Sequence, residues 1–187
     1  ANGPLPAERV VYLLAQICHS LAEAHAHGLV HRDITPRNIY ACRMGLDDDF
    51  VKVLDFGLVS YSDPASVGHS LMTAAHSTTG TPAFMAPEVI LEGAVDARAD
   101  IYALGCVAYF LLTVELVFEA DTPMKMFVQH LQAEPIPPSM RGELPIPAAL
   151  DALVLACLAK DPLARPQSIA AVRQQLEVVP LTSAWTN

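Results

Sequence analysis

The sequence predicts a mainly α fold with one small β hairpin. Three features carry this prediction: several stretches with apolar residues at helical spacing, one pair of short β-prone runs, and an apolar content of 52% with only 17% charged residues. An intrinsically disordered chain has the opposite composition, so this chain is expected to fold and to bury a core. The mean hydropathy of +0.34 is nevertheless high for a free-standing soluble domain.

The first predicted helix spans Ala7–His27. Its apolar residues recur at three- and four-residue steps, as they do on one face of a helix. Pro6 favours the first helical turn, and Gly28 favours a left-handed stop. Two β-prone runs follow, Asn38–Cys42 and Phe50–Leu54, and a polar loop joins them. This pattern predicts that the two runs pair as a hairpin.

A long segment with little periodicity, residues 55–88, separates the hairpin from the remaining helices. It is rich in Ser, Thr, Ala and Gly, and unstructured stretches of this length inside a compact domain are usually functional. Beyond it, apolar periodicity predicts helices at 101–114, 123–132, 148–159 and 167–177.

The apolar run 101–118 contains a single charge, Glu115, and its length is at the lower margin for a membrane-spanning helix. Charged residues at 96–100 precede it directly, and a helix that is apolar on all sides is equally typical of the centre of a globular core. We therefore expect a buried helix. A membrane-tethered receptor segment that uses this run as its span is the alternative.

Charge and cysteine content exclude further classes. The net charge of −9 argues against a nucleic-acid-binding surface, which needs clustered Lys and Arg. The four cysteines are far apart in sequence and form no C-x-x-C pair. We expect reduced thiols and a cytoplasmic location. This location is compatible with a membrane anchor beyond residue 187 in the parent chain.

Three short motifs follow one another in the chain: HRDITPRN at 31–38, DFG at 55–57 and APE at 86–88. Each is weak alone, but their order and the five-residue spacing from Asp33 to Asn38 are highly specific. Together they resemble the catalytic loop, magnesium-binding motif and activation segment of eukaryotic-type protein kinases. The wording is most similar to bacterial serine/threonine kinases, and the resemblance extends over residues 4–177.

The resemblance implies transfer of the γ-phosphoryl group of ATP, with Mg²⁺, to Ser or Thr of a protein substrate. Asp33 matches the catalytic base, which accepts or orients the proton of the substrate hydroxyl. Asn38 and Asp55 match the two magnesium ligands, and oxygen donors are what this hard cation prefers. Tyr40 matches a position beneath the adenine of ATP. Thr81 matches the residue that contacts the catalytic Asp in serine/threonine kinases.

Other motif residues match supporting roles. His31 corresponds to a core residue that supports the backbone of the catalytic loop, and Asp100 to an Asp that hydrogen-bonds that backbone. Arg165, in the motif KDPLARP, corresponds to an Arg that forms an ion pair with Glu88. Gly57 lets the chain turn sharply after Phe56. All of these roles are implied by the resemblance.

Arg32 precedes the catalytic Asp, a pattern of kinases that are switched by phosphorylation of the activation segment. A phosphate added there offers acceptor oxygens that an Arg binds through two parallel hydrogen bonds. Candidate acceptors in this sequence are Thr73, Ser77, Thr78 and Thr79. Their spacing from Thr81 favours Ser77 and Thr78.

Two departures from the family pattern matter. Thr35 replaces the Lys that contacts the γ-phosphate in serine/threonine kinases, which removes a stabilising charge. We hypothesise that Arg37 substitutes for it, as a similarly placed Arg does in tyrosine kinases. In addition, no Gly-rich loop, no strand Lys and no partner Glu precede residue 31.

The second departure implies that residues 1–187 hold only the large, C-terminal lobe of a kinase, with a short tail at 178–187 and the small lobe absent. Because ATP lies between two lobes, we predict that these residues alone are inactive. The expected partners are a protein substrate and the N-terminal lobe of the same parent chain.

Two other hypotheses stay open at the level of sequence. A pseudokinase-type binding module would explain Thr35, although the intact Asp33, Asn38 and Asp55 argue against it. A metal site among the histidines near the end of the first helix is disfavoured, because His25 and His27 point to different helix faces. That group also includes His19 and His31.

Overall fold

The computed structural model describes residues 3–45, 47–55, 82–183 and 185. Within them the chain is mainly helical and carries one two-stranded antiparallel sheet, as the sequence predicts. The helices and strands are α1 (Ala7–Ala26), β1 (Ile39–Met44), β2 (Asp47–Val53), α2 (Pro87–Ile90), α3 (Ala97–Thr113), α4 (Pro123–Gln132), α5 (Ala148–Cys157) and α6 (Ile169–Glu177). Short 3-10 turns lie at Pro36–Asn38, Pro82–Phe84, Pro138–Met140 and Pro162–Ala164.

Helix α1 has the bounds that its periodicity predicts to within one residue. Pro6 precedes its first turn, and Gly28 follows its end with a φ of 73°, a left-handed conformation that glycine adopts without steric cost. Its apolar face is buried and packs on β2, α3 and α6. The helix thus covers one side of the core, and the chain continues from its end into residues 31–38.

Helix α3 is the buried centre of the described fold. The sequence predicted one apolar run over 101–118, but the helix begins earlier, where the Asp96 carboxylate accepts the backbone N–H of Arg98. It ends at Thr113, and Val114 takes a left-handed φ of 61°. The helix predicted at 101–114 therefore begins four residues earlier than predicted and ends within one residue of its predicted end, while residues 114–118 of the apolar run lie outside it.

The early end of α3 has a local cause in hydrogen bonding. The Thr113 hydroxyl donates to the Tyr109 carbonyl and accepts the backbone N–H of Glu115, which favours a turn over a further helical residue. Val117 and Phe118 then return to the core from outside the helix. No helix among the described residues combines the length and the apolar character that crossing a membrane requires.

Helices α3 and α5 approach each other closely at Gly105. A Cβ atom at this position would lie 2.8 Å from the Cβ of Cys157 and 3.3 Å from side-chain atoms of Leu158. Real Cβ contacts are essentially never that short, so the packing distance requires glycine here. Both Cys157 and Leu158 are buried.

The hairpin is longer than the sequence predicts. Its strands extend to Met44 and Asp47, so most of the predicted polar loop belongs to the strands, with a register irregularity between Cys42 and Met44. Polar side chains do not prevent pairing of a solvent-exposed hairpin, because the pairing uses backbone groups. Side chains of α1 brace the second strand: Gln16 donates to the carbonyl of Asp49 and accepts the N–H of Val51.

The chain after α6 returns to the beginning of α1. Val179 is buried, and the Thr182 hydroxyl donates to the Glu8 carboxylate. The guanidinium carbon of Arg9 lies 5.4 Å from the ring centroid of Trp185, within cation–π range. Residues from the predicted tail therefore contact the first helix.

Candidate active site

One buried carboxylate holds the start of the loop at 31–38. Asp100, in the first turn of α3, accepts the backbone N–H of His31 at 2.9 Å and that of Arg32 at 2.8 Å, one on each oxygen. Both His31 and Asp100 are fully buried. Arg32 has a φ of 65°, which is costly for a residue with a side chain, so the bonds to Asp100 maintain an unfavourable backbone conformation.

His25 also binds this carboxylate, although the sequence analysis gave it no such role. Its Nε2 donates to Asp100 Oδ2 over 2.8 Å, from the last turn of α1. His25 lies four residues after Leu21, which is fully buried, and this spacing placed it on the apolar face. That spacing was the signal that could have revealed it.

Asn38 orients the carboxylate of Asp33. Its side-chain N–H group donates to the backbone carbonyl of Asp33 and to Asp33 Oδ2, both at 2.8 Å. The 3-10 turn at Pro36–Asn38 produces this approach by folding the chain back over the four residues between the two. Because the amide nitrogen is occupied, the amide oxygen of Asn38 is the atom left for another partner.

The hairpin brings Asp55 to the same end of the sheet as Asn38. Ile39 and Val53 are paired across the strands, and the N–H of Leu54 donates to the carbonyl of Asn38 at 2.8 Å. Asp55 therefore leaves the hairpin beside the residue that holds Asp33. It is exposed and has a φ of 59°.

His31 joins the loop to the end of the hairpin. Its Nε2 donates to the Leu54 carbonyl at 3.0 Å, while its Nδ1 accepts the N–H of Asp33 at 3.3 Å. A neutral imidazole with its proton on Nε2 satisfies both bonds. One side chain thus couples the position of Asp33 to the backbone that precedes Asp55.

Arg165 and Glu88, which the resemblance pairs, form a bidentate ion pair with distances of 2.7 and 2.8 Å. The Arg165 side chain is fully buried and that of Glu88 is 11% exposed. The other guanidinium N–H groups donate to the carbonyls of Ala159, Lys160 and Arg98, so all five donors of the buried cation have acceptors.

Comparison with known proteins identifies the family. The protein kinase domain family matches residues 1–176. The chain is 45% identical over 175 residues to the serine/threonine-protein kinase Pkn1 of Myxococcus xanthus, and 40% identical over 176 residues to the serine/threonine-protein kinase PknB of Mycobacterium leprae. Each match covers 94% of this chain. The chain belongs to the protein kinase family.

The resemblance to bacterial serine/threonine kinases is therefore confirmed. The chain spans 24% of the length of Pkn1 and 27% of that of PknB. Pkn3 of Myxococcus xanthus, also a serine/threonine-protein kinase, is 39% identical over 177 residues, which are 32% of its length. Protein kinases in general use ATP and Mg²⁺.

The donor set fits a magnesium ion that also binds phosphate. The amide oxygen of Asn38 and the exposed carboxylate of Asp55 are hard oxygen donors at the same end of the hairpin. Two protein ligands leave positions for waters and phosphate oxygens, which is the usual arrangement for Mg²⁺ in kinases. The described part of the chain holds no group of three or more His, Cys, Asp or Glu side chains that could bind a metal ion.

The remaining predicted residues around the loop occupy three environments. Thr35 is 5% exposed and thus faces the interior. Arg37 is exposed at the end of the 3-10 turn. Tyr40 lies on β1 opposite Lys52 and is 57% exposed, so its ring is accessible at the surface of the hairpin.

Arg32 carries an unpaired polar atom. Its Nε is buried, and it has no hydrogen-bond partner among the residues that the structure describes. The other predicted site and regulatory residues lie outside the described residues: Phe56, Gly57, Ser77, Thr78 and Thr81.

Proposed function

We propose that these residues are the large lobe of a serine/threonine protein kinase that transfers the γ-phosphoryl group of ATP to protein Ser or Thr hydroxyls. The observation that carries the proposal is the pair of 2.8 Å bonds from the Asn38 amide to Asp33, at the end of the hairpin from which Asp55 emerges. A base and two oxygen ligands at one place are the protein groups that phosphoryl transfer requires.

In the proposed mechanism Asp33 orients the substrate hydroxyl and accepts its proton. The bond from Asn38 fixes one carboxylate oxygen, so the other is directed toward the substrate without a reorganisation cost. The His31 imidazole holds the backbone of Asp33. Thr81, by its place in the GTP motif, is proposed to contact Asp33 and to favour Ser and Thr acceptors.

Asn38 and Asp55 are proposed to hold magnesium, and Tyr40 to lie beneath the adenine of ATP. The metal supplies positive charge that neutralises the phosphate oxygens during transfer. The exposed face around Tyr40 and Leu54 is where we place the N-terminal lobe of the parent chain. Residues 1–187 contain no Gly-rich loop and no strand Lys of the kinase pattern, and we propose that they are inactive by themselves.

Arg37 is proposed to replace the missing lysine. Thr35 is buried and uncharged, whereas Arg37 is an exposed cation four residues after Asp33. We expect Arg37→Ala to lower kcat by about a hundredfold, the loss typical of removing one transition-state donor. Activity comparable to that of the parent would show that Arg37 has no such role.

Phosphorylation of the activation segment is proposed to regulate the site through Arg32. Its buried, unpaired Nε is a donor that a phosphate on Ser77 or Thr78 would satisfy.

We further propose a cytoplasmic location. The four thiols are free, and burial raises the pKa of Cys157 to about 12, so this thiol stays protonated and unreactive.

The experiment is a phosphotransfer assay with the full-length protein, ATP, Mg²⁺ and casein, followed by phosphoamino-acid analysis. We expect phosphoserine or phosphothreonine from the wild type and a loss of at least about a hundredfold with Asp55→Asn, which removes a metal ligand. Asp121→Asn is the matched control, because this exposed carboxylate only pairs with Lys125. A folded wild type that transfers no phosphate would instead support the pseudokinase-type binding module.

A further inference from the structure

His130 is a buried imidazole on α4 that the proposed mechanism does not use. It is fully buried, and its Nδ1 lies 2.8 Å from the hydroxyl of Tyr102 on α3. Phe118 packs edge-on against the ring, with centroids 5.1 Å apart at 86°. Burial, together with the nearby Lys160 cation, lowers the pKa of His130 to about 4, so the ring is neutral near pH 7. Its two nitrogens are then one donor and one acceptor.

The backbone of Ala83 also acts on the imidazole. It raises the pKa of His130, against the larger effects of burial and Lys160. The Nε2 atom is buried and has no partner within hydrogen-bond geometry among the described residues. Helix α4 packs on the turn Pro82–Phe84, of which Ala83 and Phe84 are both buried. The imidazole thus links α3 to α4 through Tyr102, and α4 in turn packs on this turn.

Tyr102 connects His130 to the ion pair of Glu88. The guanidinium carbon of Arg165 lies 4.9 Å from the centroid of the Tyr102 ring, while the Tyr102 hydroxyl bonds to His130. Arg165 in turn holds Glu88. The segment Pro82–Glu88 is therefore held at Glu88 by Arg165, which lies over the Tyr102 ring, and at its first turn by packing against α4, which carries His130.

We propose that His130 is a positioning residue that fixes the segment Pro82–Glu88 against Tyr102 and thereby sets the affinity for the protein substrate. The segment begins directly after Thr81, the residue assigned above to acceptor recognition. The role in substrate affinity rests on the proposed kinase function. The role in holding the segment does not, and the two are measured separately.

The variants separate the contribution of the His130 imidazole from that of the Tyr102 hydroxyl. His130→Leu fills the space of the imidazole with an apolar side chain and removes both nitrogens. Tyr102→Phe removes the hydroxyl but keeps the ring beneath Arg165. His130→Asn places an amide near the position of Nδ1 and keeps a partner for the hydroxyl. His19→Ala is the matched control, because His19 is an exposed histidine on α1.

Kinetics are measured with the full-length protein. We expect His130→Leu and Tyr102→Phe each to raise the KM for the protein substrate about tenfold, equivalent to about 1.4 kcal/mol, with the KM for ATP changed by less than about twofold. The double variant adds little, because both changes break one link. His130→Asn and His19→Ala stay near the wild type. An unchanged protein-substrate KM, or an equal rise for ATP, would overturn the role in substrate affinity.

Hydrogen exchange tests the positioning itself, whether or not the protein is active. In Tyr102→Phe and His130→Leu we expect the amides of 82–88 to exchange about tenfold faster, because their local opening costs less, while those of α5 are unchanged. Unchanged exchange at 82–88 in both variants would overturn the inference. Faster exchange in a protein without kinase activity would uphold the positioning and refute only the proposed function.

Discussion

At the scale of single residues, a few buried polar side chains hold the loop and the segments around it. The Asp100 carboxylate accepts hydrogen bonds from His25 and from two consecutive backbone amides. The Arg165 guanidinium donates hydrogen bonds from all five N–H groups, to Glu88 and to three backbone carbonyls. Buried charges of this kind are tolerated only when every lone pair or proton has a partner. They determine the backbone geometry that hydrophobic packing alone leaves free.

Removal of one partner of the ion pair should destabilise the fold strongly. Glu88→Gln leaves the fully buried Arg165 without its counter-charge, and we expect a loss of about 3–5 kcal/mol in the free energy of unfolding. Urea denaturation measures it. The exposed pair Asp121–Lys125 is the control, since Asp121→Asn should change stability by less than about 1 kcal/mol. A loss that small for Glu88→Gln would contradict the structural role of the pair.

We expect His130 to make the free energy of unfolding depend on pH. Its pKa of about 4 in the folded chain lies below the value of 6.5 for the free side chain, so the unfolded chain takes up a proton first as the pH falls. The contribution of His130 is complete above pH 6.5 and falls as the pH drops through the interval from 6.5 to 4.

The difference between wild type and His130→Leu isolates this contribution from the carboxylates that titrate in the same range. Below pH 4 the wild type should have lost about 3 kcal/mol more than the variant, relative to pH 7. Parallel stability curves for the two proteins from pH 7 to pH 4 would contradict a buried, neutral His130.

At the scale of elements, periodicity predicted where helices lie but not where polar contacts end them. The bounds of α1 and α4 follow from apolar spacing and prolines. The apolar run 101–118, by contrast, continues beyond the end of α3, because the Thr113 hydroxyl competes for backbone groups inside it. The hairpin was predicted with short strands, since exposed polar residues carry no signal for backbone pairing.

The close contact between α3 and α5 at Gly105 should make the fold sensitive to an added Cβ atom at this position. Gly105→Ala introduces a Cβ 2.8 Å from the Cβ of Cys157, which only a backbone shift relieves, and we expect a loss of about 1–3 kcal/mol in the free energy of unfolding. Gly93→Ala is the matched control, because its nearest neighbour would be 3.5 Å away. Equal stabilities of the two variants would show that α3 and α5 are not packed as described.

At the scale of the whole molecule, the motifs were more informative than composition. The order and spacing of the motifs predicted that Asp33, Asn38 and Asp55 form one site. Helical spacing could have placed His25 on the apolar face of α1, but it could not name the partners of His25 and His130, which are distant in sequence and meet them only in the folded chain. Contacts of that kind depend on helix packing, which no local pattern specifies.

The apolar excess of the composition has a structural explanation. Helix α3 is buried on nearly all sides and accounts for much of it. Other large apolar side chains remain exposed, among them Tyr40 and Leu54 at the end of the hairpin where the site lies. We propose that the N-terminal lobe packs on this face, and the exposed apolar side chains there agree with that proposal.

The most direct test of the central claim is the rate of phosphoryl transfer by the full-length protein with Asp33→Asn. The substitution keeps the shape of the side chain but removes the carboxylate that Asn38 orients. If Asp33 is the base of a protein kinase, kcat should fall by about a thousandfold, within the range for loss of a general base, while the variant remains folded. A folded variant that transfers phosphate within about twofold of the wild-type rate would contradict it.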